Sequence, residues 1–318
     1  MELIDSAVGK LQPPNTIPRS PRRLKDLNYF KANEIEVWLL YIGPVFFQGL
    51  HDNLYLAFLK FSWAIRQLLQ NDQHIDECSR LIDEFCQEMA SIDQKNQTYN
   101  LHSLRHLAWQ VKNFGPLWTT SAMAFESAHH ILNVKFTGTV NHLGLMVERY
   151  RRSRALKTHS VPEDNLKNFT EGLLSKRKDI CPAHRMKMLP LMQYFNELGS
   201  NLSARLKLGR IVYESESYEL SKSTSYVKFI QADNVCFGQI LFFFVENNRN
   251  FCMLKRFEVV QFHKSASLHI ELPDFLYEVV KESSTSAVSV EKVVSPVFLV
   301  GFKSKTYFVE LSDHFDHN

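Results

Sequence analysis

His102 and His106 stand four residues apart in a stretch, Asn100 to Asn113, where Leu101, Leu104, Leu107, Ala108 and Val111 recur at helical spacing. On such a helix both imidazoles project from one face about one turn apart, the separation that two ligands of one metal ion need. The same spacing also arises by coincidence or in a satisfied core pair, so the pair alone does not define a site. Cys78 and Cys86 cannot complete one together, because eight residues of helix hold them roughly 12 Å apart. Twenty residues past His106, Glu126 sits among Ala122, Met123, Ala124, Phe125 and Ala128. A carboxylate in so apolar a run needs an exposed face, a nearby arginine or a metal ion, since an uncompensated buried charge is strongly unfavourable. Two basic clusters complete the set: Arg19, Arg22, Arg23 and Lys25 before the apolar core, and Arg149, Arg151, Arg152, Arg154 and Lys157 after Glu126. Such clusters attract phosphates and give salt-dependent, sequence-independent DNA binding, or else they are a solvated arm and a solvated helix face. Trp109 and Trp118 flank the Gly115-Pro116 turn; stacking on bases is open to them, and core packing is the simpler expectation.

The elements that position these residues follow from the pattern of apolar spacing. Residues 1–33 form a Pro/Arg-rich arm, with Pro13, Pro14, Pro18 and Pro21 favouring extended chain over helix. Asp5 and Asp26, its only aspartates, match no catalytic motif and read as structural or capping residues. Residues 34–160 read as mostly helical. Glu34 to Gln70 is apolar nearly all round, giving two buried helices parted near Gly49, and Ile75, Cys78, Ile82, Phe85 and Met89 recur as in a helix with one wet face. The helix over 100–113 stops at Gly115-Pro116. Further helical stretches follow over Ala122–Leu132 and His142–Ala155. Residues 161–198 form a charged linker with a possible helix. Residues 199–318 change period: short β-branched and aromatic runs at Arg210–Tyr213, Ser225–Ile230, Val235–Val245, Phe251–Phe257, Val259–Phe262, Ser295–Phe302 and Thr306–Leu311 alternate with polar clusters. Asn247-Asn248 and Lys303-Ser304-Lys305 supply hairpin turns, and a small antiparallel β-barrel domain is the natural closure. The expected fold class is α+β, helical first and strand-rich after.

Composition removes several classes of function. With 318 residues and 45% apolar content the chain can bury a sizeable core, which argues against disorder and favours two domains over one. Lys+Arg number 37 against 34 Asp+Glu, so a nucleic-acid or membrane surface must be a local patch. The five cysteines are odd in number and contain no C-x-x-C, which argues against a disulfide framework or a self-contained zinc finger and fits an intracellular compartment. No secretory signal opens the chain, so the sequons at Asn96, Asn168 and Asn201 carry no information, and no apolar run approaches the roughly 20 residues of a bilayer span. P-loop, G-x-G-x-x-G, G-x-S-x-G and H-E-x-x-H motifs do not occur in the sequence.

Three segments read together, LQPPNTIPRSPRRLKDL, VWLLYIGPVFFQGL and YNLHSLRHLAWQVKNFGPLWTTSAMAFES, resemble the C-terminal portion of transposases of CACTA (En/Spm) type and transposase-derived proteins. The resemblance covers roughly residues 3–160, with a weaker match in the strand-rich region. These enzymes are distantly similar to the catalytic subunit of the V(D)J recombinase. The resemblance implies an RNase H-like core with a DDE metal triad and a helical insertion before the last acid. It places His102 and His106 at the histidine pair of a zinc site and Glu126 at the third acid. The first two aspartates, and the cysteine pair expected to share the zinc, belong to a segment upstream of residue 1. Two divalent ions about 3.5–4 Å apart need carboxylates from several places, so Mg²⁺ or Mn²⁺ is expected only if a complete triad is supplied, and the zinc site is incomplete. The expected function is that of a transposon-derived protein without autonomous strand-transfer activity that retains DNA binding; the alternative is a domesticated chromatin or protein interaction module working through the barrel. The location expected is intracellular, with the nucleus implied by the resemblance, and no membrane partner is expected.

Overall fold

A computed structural model describes residues 2–70, 74–122, 144–145, 147–148, 151–152, 170–173, 202–209, 211–216, 223–246, 249–261 and 275–312. It is mixed helix and sheet, with helices in the N-terminal half and antiparallel strands in the C-terminal part. The change of period that the sequence shows after Gly199 therefore marks a real change of structure.

The Pro/Arg-rich arm is not a free extended segment. Glu2–Val8 forms helix α1, Leu24–Tyr29 winds as a 3₁₀ turn, and Pro13, Pro14, Ile17 and Pro21 between them are buried. Asp5 caps that turn, accepting from Leu24 N at 2.6 Å and Lys25 N at 3.4 Å, which fits the structural role its sequence context implies. The arm also reaches the strands: Asn15 Nδ2 donates to the Val212 carbonyl at 2.8 Å and Ser223 N to the Pro13 carbonyl at 3.1 Å. Prolines with preset φ lose little chain entropy when they are fixed in this way.

The apolar stretch after the arm folds as α2 (Ala32–Val37), a π-helical turn (Trp38–Ile42), α3 (Gly43–Phe46) and α4 (Asp52–Leu69), parted at Phe47–Gly49 as the sequence predicts. The π turn is a consequence of Gly43-Pro44. Pro44 has no N–H to offer the preceding turn, Gly43 N donates to the Trp38 carbonyl, and the Pro44 carbonyl accepts from Tyr55 Oη at 2.6 Å. A Cβ on Gly43 would lie 2.4 Å from that Trp38 oxygen and 2.7 Å from the Phe58 ring, so no other residue fits. Helix α5 (Ile75–Ile92) buries Cys78, Leu81, Ile82 and Cys86 and stacks Phe85 on Phe61 of α4 with centroids 4.3 Å apart. The predicted helix over 100–113 is two helices, α6 (Tyr99–Leu104) and α7 (Leu107–Phe114).

The strands are β1 (Thr170–Leu173), β2 (Leu202–Ser203), β3 (Arg205–Leu208), β4 (Ile211–Glu214), β5 (Tyr226–Gln231), β6 (Asn234–Glu246), β7 (Arg249–Gln261), β8 (Leu276–Ser289), β9 (Val293–Phe302) and β10 (Lys305–Glu310). β1, β3 and β4 form a small antiparallel sheet, so part of the segment read as linker is strand. In the larger sheet β5 pairs with β6, β6 with β7, β7 with β8, β8 with β10, β10 with β9, and β9 with β5 again, all antiparallel. The ladder returns to its first strand. One apolar cluster takes a residue from each of these six strands, Tyr226, Phe237, Phe257, Tyr277, Val297 and Phe308, which places it inside the cycle. The run at Phe251–Phe257 and the described part of the next, Val259–Gln261, are one strand, β7, with a register shift between Glu258 and Val259. The Asn247-Asn248 turn lies outside the described residues.

The two kinds of structure share a core. Successive residues of a strand face opposite ways, so while Val297 and Phe308 point into the cycle, Phe298, Val300, Tyr307 and Val309 join Leu40, Tyr41, Phe46 and Leu68 of the helices. Arg66 of α4, 4% exposed, donates to the Leu40 carbonyl at 3.0 Å and the Glu310 carbonyl at 2.7 Å, with its guanidinium 4.3 Å from the Phe275 ring centroid. Tyr41 Oη and Ser312 Oγ are 2.7 Å apart beside it.

Candidate functional site

The His102 and His106 pair is held at the junction of α6 and α7. Thr98 Oγ1 accepts from Leu101 N at 3.2 Å and starts α6. The helix then tightens: Arg105 N donates to the His102 carbonyl and His106 N to the Ser103 carbonyl, each at 3.1 Å, and these i→i−3 bonds end the first helix. His106 restarts the chain as the N-cap of α7, its carbonyl accepting from Gln110 N at 2.9 Å. Leu101, Leu104 and Leu107 pack against the shared core on the other side. Despite the break the imidazoles converge, with centroids 5.2 Å apart and ring planes at 78°, and both residues are exposed. Two imidazoles on one tetrahedral zinc, each nitrogen about 2.0–2.1 Å from the metal, have centroids roughly 5 Å apart. The spacing matches that of two ligands of one ion, and it equally matches an ordinary edge-to-face contact between two rings. No group of three or more His, Cys, Asp or Glu side chains suited to a metal occurs among the described residues, so the pair has no third partner there.

Cys86 shares a cavity lining with His102, and its thiol is engaged by the backbone. Its thiol lines a cavity of about 380 Å³ with Gln97, Thr98, His102 and Arg105, but it is buried and donates to the Leu101 carbonyl at 3.4 Å. Burial pushes its pKa up by more than the hydrogen bond and charge of Arg105 pull it down. Cys78 is fully buried in the core. Glu126, His129 and His130 lie outside the described residues.

The basic residues separate into two kinds. Arg22 is turned to structure: its Nε lies 3.1 Å from the fully buried Glu34 carboxylate and its Nη1 donates to the Tyr29 carbonyl at 2.6 Å. Arg19 and Arg23 are exposed, with the Arg23 guanidinium lying over Gly9. Arg151 and Arg152 are exposed and helical, and Arg152 pairs with Glu148 at 2.5 Å one turn earlier; Arg149 and Arg154 lie outside the described residues. The tryptophans depart from the core-packing expectation, since Trp109 is 61% and Trp118 38% exposed, and the Trp109 ring meets the equally exposed Phe114 at 6.0 Å. Only one face of α7 is covered, through Ala108 and Val111, and Trp109 and Phe114 fall outside that face.

Sequence reasoning missed a second cavity, about 520 Å³, between α1 and the turn that joins β9 to β10, rimmed by Lys10, Lys303 and Lys305. Its parts lie nearly 300 residues apart in the chain, and no local pattern announces them. No helix among the described residues is long and apolar enough to cross a membrane. Compared with known proteins, the chain matches no family model, no curated protein and no solved structure.

Proposed function

We propose that this is a transposon-derived protein of CACTA type that binds DNA, in the nucleus, and does not carry out strand transfer by itself. The observation that carries the reading is the convergence of His102 and His106 to 5.2 Å, exposed and edge to face, where the resemblance puts a zinc-binding pair. By the same resemblance Glu126 is one acid of a DDE triad and the helical half derives from the insertion and last part of an RNase H-like core; the return of the strand ladder to its first strand supports reading the strands as a small barrel. The residues fit a partial zinc site: two nitrogen donors on a rigid break, to which further ligands must be added to reach four. Arg19, Arg23, Arg151 and Arg152 are exposed for phosphate contact.

Two measurements test the proposal. The purified chain is expected not to nick or join DNA in Mg²⁺ or Mn²⁺, and metal-dependent cleavage that disappears in Glu126→Gln would overturn this. Zinc is expected to bind weakly and to be removed by a chelator, with the residual binding lost in His102→Ala; stoichiometric zinc that survives chelation would mean a closed four-ligand site. The exposed Trp109, Phe114 and Trp118 favour a second reading, a domesticated interaction module that takes a protein partner. Absence of any affinity for duplex DNA at about 50 mM salt would put that reading first.

A further inference from the structure

We propose that the lysine-rimmed cavity between α1 and the β9–β10 turn seats the sugar-phosphate backbone of DNA. This rests on the DNA-binding reading above and names where the phosphates sit. The cavity is lined by the apolar side chains of Leu3, Ala7 and Phe302 and by exposed polar groups: Lys10 just past the end of α1, Ser6 within it, and Lys303, Ser304 and Lys305 at the turn. The turn is a two-residue hairpin loop with Lys303 at φ 48° and Ser304 at φ 63°, the left-handed pair that such a loop demands. That geometry sets the Lys303 ammonium 5.4 Å from the centroid of the Phe302 ring, beside the cavity. Lys305 is held by Glu278 at 2.8 Å, whereas no ion pair engages Lys10 or Lys303 among the described residues. Arg23 continues the positive strip, its guanidinium lying over Gly9 next to Lys10. Three segments remote in sequence thus present cations on one side of the molecule.

The occupant follows from the chemistry of the rim. Among the described residues the lining holds three lysines and no carboxylate, so its charge is complementary to a polyanion. Lysine is a compact point charge that suits the spread charge of a phosphodiester, and serine hydroxyls are common phosphate donors. An acidic peptide is the rival occupant.

The test uses the full chain and fluorescent duplex DNA, titrated by anisotropy between 50 and 200 mM salt, with Lys10→Gln/Lys303→Gln as the variant. Both lysines are exposed, and circular dichroism checks that the variant folds. Each phosphate contact contributes about 0.9 to the log–log salt slope. Losing two should lower the slope by about 1.8, so the fall in affinity over that salt range becomes about twelvefold smaller, equally for every sequence. Wild-type binding with an unchanged slope in the variant would overturn the seat while leaving the DNA-binding reading intact; no wild-type binding would overturn both. A polyglutamate peptide bound by wild type and lost in the variant, with DNA affinity unaffected, would give the cavity to an acidic partner and overturn the proposal.

Discussion

Replacing Arg66 with Met should show whether the helices and the strands unfold as one unit. The guanidinium is 4% exposed and supplies charged donors to two carbonyls, Leu40 in the helical part and Glu310 at the end of β10, while lying over the Phe275 ring. Methionine preserves much of the packing and removes the donors. A hydrogen bond from a charged group contributes about 1.5–3 kcal/mol, so stranding two buried carbonyls should cost about 3–5 kcal/mol after some relaxation. That is a large part of the 5–15 kcal/mol that holds an ordinary domain together. With a urea m-value near 3 kcal/mol per M, the midpoint should fall by about 1–1.7 M. All four tryptophans lie within the first 118 residues, so their fluorescence reports the helices, and amide exchange across Val293–Phe302 reports the sheet. Both should shift together. A loss under about 1 kcal/mol, or a helical transition that moves while the protection of β9 stays unchanged, would refute the shared core.

Two further outcomes follow from single contacts. Gly43→Ala should destabilise by about 2–3 kcal/mol, since its methyl meets the Trp38 carbonyl at 2.4 Å and the backbone must move to admit it; an unchanged melting temperature would mean that the π turn is not the conformation in solution. Glu84 is pushed up in pKa by partial burial, but the hydrogen bond and charge of Lys60 and the charge of Arg80 outweigh this and hold it below the ordinary glutamate range. A proton is therefore bound less tightly in the folded chain, and the pairing stabilises at neutral pH and is lost as pH falls through the lowered pKa. Denaturant titrations should show Glu84→Gln less stable than wild type at pH 7, with the gap closing in acid; a gap that does not depend on pH would sink the assignment.

What was legible in the sequence tracks how one-sided each element's environment is. α5 buries a clean stripe, Cys78, Leu81, Ile82 and Cys86, against a wet opposite face, and its span could be read directly. β9 and β10 are buried on both faces, so PVFLV and TYFV are nearly continuous apolar runs, and they too stand out. β8 was invisible. Its middle, Lys281 to Thr285, is an exposed run of Lys, Glu, Ser and Thr, held in the sheet by the ladder to β7 rather than by burial. Periodicity measures burial, and pairing between backbones leaves no trace in it. The break at Arg105 escaped for a similar reason, because Leu104, Leu107, Ala108 and Val111 stay on the packed side across it and the apolar pattern runs on uninterrupted.

The candidate sites divide along the same line. His102 and His106 are four apart, and local spacing sufficed to bring them together even though the helix is interrupted between them. Arg22 shows the opposite: a cluster of like residues in sequence says nothing about which of them will be consumed by a buried carboxylate, and Glu34, twelve residues on, takes this one. The lysine rim depends on tertiary structure entirely. α1 reaches the β9–β10 turn because the arm is pinned at both ends, by Asp5 to the start of the 3₁₀ turn and by Asn15 and Pro13 to the strands. The prolines that make the arm look like a loose tether are what let it be fixed at small entropic cost. The Pro/Arg-rich segment read as an extended arm is here packed into the fold. Fixing the arm in the fold brings Lys10 and Lys303 to one cavity, so an anion that binds there does not have to order the arm first.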